Sequence, residues 1–190
     1  MRVTRAEQQM QTRAALLAAA SEVFIDRGLR GASVEQISLR AGFTRGAFYS
    51  NFKDLDEAFV AVLRERVDDL YGDFVDAALE RPPQPGDAAR QLAALQAGPG
   101  ASELRQLWLE CVALAPRNER LREFSAQLLR ERRALAEEIV RRGLPSRAPH
   151  AAHLGLALVA LDLGLAMQHS LDDDVPLDAY RGVYQALFDR

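Results

Sequence analysis

Residues 33–52, SVEQISLRAGFTRGAFYSNF, decide how this chain folds. Ser33 followed by Gln36 is typical of a capping box, in which two side chains satisfy the free amides at a helix start. Gly42 follows the last regularly spaced apolar residue of the first helix, and a glycine there predicts that the helix ends in a left-handed backbone conformation. Thr44 is suited to cap a second helix. Two short helices joined by about three residues predict a helix-turn-helix.

The second of these helices separates two faces. Phe48 and Phe52 lie four residues apart and are predicted to point inward, whereas Arg45 and Tyr49 are predicted to point outward. No Asp or Glu occurs from 36 through 53, so the outward surface is basic and suited to phosphate. The candidate DNA contacts are the polar residues and one glycine of this surface: Ser33, Thr44, Arg45, Gly46, Tyr49, Ser50, Asn51 and Lys53. A helical hairpin with a solvated face is the alternative.

Residues 12–60 resemble the DNA-binding domain of the TetR family of bacterial repressors. The resemblance is carried by a first helix ending at Gly28, the turn AGF at 41–43 and the segments TRGAFY at 44–49 and YSNF at 49–52. It implies an all-α, non-enzymatic protein with about nine helices. A three-helix helix-turn-helix domain would span 1–53, and a larger helical domain for ligand binding and dimerisation would span 54–190.

The sequence departs from the family pattern at Leu55, where the family usually has a lysine near the start of the fourth helix. The only lysine of the chain, Lys53, lies two residues earlier. Its flexible side chain could reach the same phosphate, so we predict that Lys53 replaces this contact and that Leu55 packs against the bundle.

Charge is distributed unevenly along the chain. Residues 1–53 hold 8 Lys or Arg against 4 Asp or Glu, and residues 54–190 hold 16 against 23, for a net charge of −3. A basic end on an acidic body predicts one preferred orientation on DNA. The single Cys111 excludes an intramolecular disulfide and favours a cytoplasmic protein. The longest apolar run, 154–167, is too short for a bilayer and contains Asp162, so no membrane partner is expected.

The remaining helices follow from apolar periodicity and from Gly and Pro breaks. They are predicted at 12–27, 54–80, 87–97, 102–115, 117–142, 151–171 and 176–188, with no strand. The helix at 54–80 would extend about 40 Å and could couple the two domains. Residues 1–11 lack helical periodicity and are interpreted as a basic arm that reaches DNA or as a disordered terminus.

The helix at 151–171 is apolar almost all round, so it must be covered on more than one side. Together with the helix at 176–188 it predicts a four-helix homodimer interface, which is also how TetR-family proteins usually pair. Burial within one subunit is the alternative.

Aromatic and polar residues on several helices could converge on a cavity for a largely apolar small-molecule effector. The candidate ligand contacts are Tyr71, Phe74, Trp108, Cys111, Phe124, Met167 and Gln168. Core packing explains most of them equally well. His150 and His153 could share a helical face, but no Cys or carboxylate completes a metal site, so neither a metal nor a cofactor is expected. No phosphate-binding glycine loop or nucleophile elbow occurs.

These observations predict a ligand-responsive transcriptional repressor that binds a palindromic, double-stranded DNA operator as a homodimer. A helical small-molecule-binding protein that has lost specific DNA binding is the alternative, which the departure at Leu55 keeps open. A helical enzyme comes third, because the sequence offers no catalytic constellation.

Overall fold

The computed structural model describes residues 4–81 and 83–176, together with 179, 182 and 183. Within these residues the fold consists of α-helices and short 3-10 turns, without strands. The helices are α1 (Arg5–Gly31), α2 (Val34–Ala41), α3 (Arg45–Tyr49), α4 (Leu55–Glu80), α5 (Pro85–Gln96), α6 (Ala101–Leu114), α7 (Glu119–Gly143) and α8 (Ala151–His169). The predicted all-α class is confirmed. The helix predicted at 176–188 lies outside the described residues, apart from four positions.

Local side chains determine where α2, α3 and α4 begin. The Ser33 hydroxyl accepts a hydrogen bond from the Gln36 amide, and the Ser33 amide donates to Gln36 Oε1 at 2.9 Å. Thr44 caps α3 by accepting from the Ala47 amide, and Asp54 caps α4 by accepting from the Glu57 amide. Gly42 ends α2 with a φ of 74°, a conformation that glycine adopts at little cost. The predicted helix-turn-helix is therefore confirmed.

The beginning of α1 corrects the sequence prediction. The helix starts at Arg5 rather than near 12, so the interpretation of residues 4–11 as a non-helical arm is wrong. Thr4 caps the helix, and its amide donates to Glu7 Oε2 at 2.6 Å, which completes a capping box. Residues 5–11 are all exposed. None of these residues belongs to a buried apolar stripe, so the apolar periodicity by which helices are located in a sequence is absent from this segment.

A continuous hydrophobic core joins the helix-turn-helix to the helices that follow it. Phe24, Ile37, Phe48 and Phe52 are all buried, as predicted. The rings of Phe24 and Phe59 of α4 pack in a T-shaped arrangement, with 5.1 Å between their centroids. The same core extends through α4, α6 and α7 by way of Val62, Leu63, Leu107, Cys111, Leu121 and Leu128. The division of the chain at 53 and 54 stays a prediction.

Helices α7 and α8 pack closely because α8 presents a glycine to α7. A Cβ atom at Gly155 would lie 2.8 Å from the backbone nitrogen of Glu137. Much of the apolar surface of α8 nevertheless remains open, and the side chains of Leu156 and Met167 are each about half exposed. Residues 145–169 are long and apolar enough to cross a membrane by length and composition alone. The same composition suits a helix covered by a second subunit.

Candidate DNA-binding surface and ligand cavity

Helix α3 is anchored on one side and open on the other. Phe48 is fully buried, whereas Arg45 and Tyr49 are exposed, as the sequence predicted. The rings of Tyr49 and Phe48 are nearly perpendicular, with 5.6 Å between their centroids, so Tyr49 packs on the anchoring residue while remaining exposed. In the described part of the chain, neither Arg45 nor Lys53 forms an ion pair. Both cations are therefore available to phosphate.

Several other predicted contacts shape the helix-turn-helix. Ser33 and Thr44 are helix caps. The Ser50 hydroxyl donates to the Gly46 carbonyl at 2.9 Å, and the side-chain Nδ2 of Asn51 donates to the Ala47 carbonyl at 2.9 Å. The three hydroxyl oxygens retain lone pairs and can still meet DNA.

Two arginines of this domain are held by the protein itself. Arg40 pairs with Glu22 at 2.5 Å and with Asp26 at 3.3 Å, so its charge is directed back to α1. Arg13 donates from Nη1 to the Asn51 carbonyl at 2.7 Å, and its guanidinium lies 4.4 Å from the centre of the Phe52 ring. Sequence reasoning missed Arg13, because no local pattern connects α1 with a residue 38 positions later.

The junction between α3 and α4 places Lys53 and Leu55 differently. Lys53 is exposed, and its backbone amide donates to Glu57 Oε2 at 3.0 Å. Leu55 is half-buried and packs against the hydrophobic core, which confirms its predicted structural role. The role of Lys53 at phosphate stays a prediction.

A cavity of about 420 Å³ opens between α4, α5, α7 and α8. Tyr71 and Phe74, two of the predicted ligand contacts, line it. The wall is mostly apolar and is completed by charged side chains from α4, α7 and α8: Arg64, Asp68, Asp76, Glu131, Arg132 and Asp162. Trp108 lies beside a smaller space of about 40 Å³ that shares Tyr71, Arg132 and Asp162 with the main cavity. A cavity of this size can enclose a small molecule.

The other four predicted ligand contacts are not among the residues that line either space. Cys111 and Phe124 belong to the hydrophobic core, where burial raises the pKa of the Cys111 thiol. Met167 and Gln168 are exposed on α8. Their role in ligand binding stays a prediction, because a helical position determines the face on which a side chain lies but not which ligand it meets.

A buried polar cluster forms one end of the cavity. Asp162 is buried and pairs with Arg132, whose Nη2 lies 2.9 Å from Asp162 Oδ2. Asp162 also accepts a hydrogen bond from the side-chain Nε2 of Gln96. The Arg132 guanidinium lies 4.9 Å from the centre of the Tyr71 ring, and burial raises the pKa of that tyrosine. Of this cluster, sequence reasoning found only Tyr71, although a lone aspartate in an apolar helix was a visible signal for Asp162.

Helix α6 connects this cluster with the helix-turn-helix. At the cavity side, Arg105 Nη1 donates to the backbone carbonyl of Gln96 at 2.7 Å. At the other end, Glu110 Oε1 accepts from the Leu29 amide at 2.8 Å, beside the turn at Gly28. Gly28 has a φ of 68° and interrupts α1, so the chain turns toward α2 at that point. Contacts therefore run continuously from the cavity to the helix-turn-helix.

Comparison with known proteins identifies the family. The profile of the family described as "Bacterial regulatory proteins, tetR family" matches residues 16–62. The profile described as "BetI-type transcriptional repressor, C-terminal" matches residues 98–190. The chain belongs to the TetR family. This membership confirms the resemblance seen in the sequence and the expectation of a transcriptional regulator rather than an enzyme.

Helix-turn-helix regulators of other bacteria are similar to part of the chain. The regulator SrpR of Pseudomonas putida is 42% identical over 81 residues, which are 42% of this chain and 38% of SrpR. The activator FasR of Mycolicibacterium smegmatis is 43% identical over 60 residues, 32% of this chain and 27% of FasR. These matches span well under half the length of either relative.

Solved structures match nearly the whole chain. A transcriptional regulator of Saccharomonospora viridis in complex with choline has a TM-score of 0.78 at 19% identity, covering 95% of this chain and 97% of that protein. The multidrug binding protein EbrR, complexed with imidazole, has a TM-score of 0.69 at 27% identity, covering 92% and 93%. The first likeness establishes the fold alone. The second match, at 27% identity, extends over most of the length of EbrR.

Proposed function

We propose that this TetR-family chain is a cytoplasmic, ligand-responsive transcriptional repressor that binds a palindromic operator as a homodimer. The observation that carries the proposal is the outward face of α3, where Arg45 and Tyr49 are exposed over an anchoring Phe48. No carboxylate lies between 36 and 53, so this face attracts phosphate and leaves α3 free to enter a major groove.

The effector would bind in the cavity between α4, α5, α7 and α8. EbrR, which is related over most of its length, is described as a multidrug binding protein and has been solved with ethidium. An effector that prefers one position of α4 and α6 would shift the spacing of the two α3 helices. Only a difference in affinity between the two states can release DNA in this way.

The proposal is tested by fluorescence anisotropy with the DNA that flanks the protein's own gene. Nanomolar binding to one fragment, competed by that fragment and not by unrelated DNA, supports a specific operator. Equal, salt-sensitive binding to all fragments supports the alternative, a ligand-binding protein without specific DNA recognition. A screen for small molecules that raise the melting temperature would then supply effectors for the release assay.

Lys53→Gln is expected to flatten the salt dependence of DNA binding. One lost phosphate contact lowers the slope of log affinity against log salt by ~0.9, so a dimer loses ~1.8. All sequences should be weakened alike, because a phosphate contact carries no base information. Leu55→Ala is the comparison, since Leu55 packs inward and should leave the slope unchanged. An unaltered slope in Lys53→Gln would mean that this contact is absent from the complex.

Helix α8 is the proposed centre of the dimer interface, together with the helix predicted at 176–188. Among the described residues of the subunit, no atom lies within 4 Å of a Cβ atom built at Gly164. Gly164→Arg should therefore leave the subunit folded and dissociate the dimer at micromolar concentration, measured by light scattering. A wild-type monomer, or a variant that remains fully dimeric, would rule out this interface.

A further inference from the structure

The cavity wall carries more negative than positive charge. The two arginines are already paired, Arg64 with Glu131 at 2.8 Å and Arg132 with Asp162 at 2.9 Å. Asp68 and Asp76 also line the cavity and form no ion pair within the described part of the chain. An anionic ligand would have to compete for an arginine, whereas a cationic ligand finds two uncompensated carboxylates.

The two carboxylates flank an open gap on α4. Gly72 lies midway between Asp68 and Asp76, and all three line the cavity. Eight residues of helix separate the aspartates by about 12 Å along the axis. No atom of the described residues lies within 4 Å of a Cβ atom built at Gly72, so a ligand can approach the helix backbone between the two aspartates.

The rest of the wall suits the body of an organic molecule. On α4, Tyr71 directly precedes Gly72 and Phe74 follows it two positions later. The opposite side is formed by aliphatic side chains of α5, α7 and α8: Leu92, Leu135, Ile139, Leu158 and Val159. Aromatic rings add an attraction for cations that neutral or anionic molecules do not experience. Acidic groups at an apolar cleft also raise the local concentration of cations.

We infer that the effector is an organic cation with an apolar body, which lies across Gly72 with its charge toward Asp68 and Asp76. This inference rests on the proposed ligand site and specifies the class of molecule that it takes. The apolar wall contributes affinity for the body, and the two carboxylates select the sign of the charge.

Three planar probes of one shape test the selection by charge. They are 9-aminoacridine, which is a cation at neutral pH, neutral acridine, and acridine-9-carboxylate, which is an anion. Each is titrated into the full chain and followed by its fluorescence, without DNA, because acridines intercalate. We expect the cation to bind at least tenfold more tightly than the neutral probe, and the anion most weakly.

The double variant Asp68→Asn with Asp76→Asn should remove this preference. We expect it to weaken 9-aminoacridine about tenfold and to change the affinity for acridine little, because only the cation interacts with the lost charges. The matched control is Asp69→Asn with Asp73→Asn. All four aspartates are exposed, but Asp69 and Asp73 do not line the cavity, so this variant removes the same charge away from the proposed site. Equal losses in the two double variants would reduce the effect to bulk electrostatics and overturn the inference.

Gly72→Leu tests the position of the ligand body rather than its charge. A leucine side chain would occupy the gap between the aspartates, so all three probes should bind more weakly. Unchanged binding of 9-aminoacridine in Gly72→Leu overturns the inference, as does its failure to bind the wild-type chain or equal affinity for the three probes. These titrations do not involve DNA, so a failure here is distinct from a failure to bind an operator, which would refute the proposed function.

Discussion

Arg45→Ala or Tyr49→Ala is expected to weaken operator binding by ~1–3 kcal/mol per subunit, and a dimer carries each change twice. The expected loss for a dimer is therefore ~2–6 kcal/mol, enough to remove binding at nanomolar concentration. Both side chains are exposed on α3, and the Tyr49 ring touches the buried Phe48 only from the outside of the core. The folded state should survive both substitutions.

The measurement is operator affinity by anisotropy, together with a thermal unfolding curve for each variant. Arg40→Ala is the matched control for Arg45, since Arg40 is also exposed in the helix-turn-helix but pairs with Glu22 and Asp26 on α1. Tyr49→Phe keeps the edge contact with Phe48 and removes only the hydroxyl. Comparing its operator affinity with that of Tyr49→Ala separates the contribution of the hydroxyl group from that of the ring.

Two results would contradict the assignment of α3 to the major groove. One is wild-type affinity in both Arg45→Ala and Tyr49→Ala. The other is an equal loss in Arg40→Ala and Arg45→Ala, because net charge alone would then explain the effect.

Local chemistry explains why the helix-turn-helix could be predicted from sequence. Ser33, Gly42, Thr44 and Asp54 each determine a helix boundary through groups at most a few residues away. The same chemistry was present at the start of α1, where Thr4 and Glu7 form a capping box. That signal was missed because the turns after it are exposed and carry no apolar stripe.

The cavity and its links could not be predicted in the same way. Arg132 and Asp162 meet across two helices, and Glu110 reaches Leu29 over 81 positions of sequence. Helical period predicts that a residue faces inward but not which inward residue it meets. Cys111 illustrates this limit, because its apolar neighbours suit a core position and a pocket wall equally.

The close packing of α7 on α8 gives the second large expected effect, the unfolding of Gly155→Leu. The first added atom, Cβ, would already lie 2.8 Å from Glu137 N, 3.1 Å from Glu137 Cα and 3.2 Å from the Arg133 carbonyl oxygen. These are backbone atoms of a helix and cannot turn aside, so α8 must move away from α7. Overpacking typically costs ~1–3 kcal/mol, and a clash with backbone that cannot move belongs at the upper end of this range, a large part of the stability of a typical domain.

Gly72→Leu is the matched control, because it makes the same substitution inside another helix, where no part of the described chain lies within 4 Å of the new Cβ. Leucine has a higher helix propensity than glycine by up to ~1 kcal/mol, so this control should unfold at the same or a higher urea concentration. Urea unfolding is followed by circular dichroism at two protein concentrations, which separates loss of subunit stability from loss of the dimer. A midpoint for Gly155→Leu that equals that of Gly72→Leu would mean that α7 and α8 are less closely packed than the structure indicates. A lower midpoint at both concentrations would identify the α7–α8 contact as part of the folded subunit, independent of any partner.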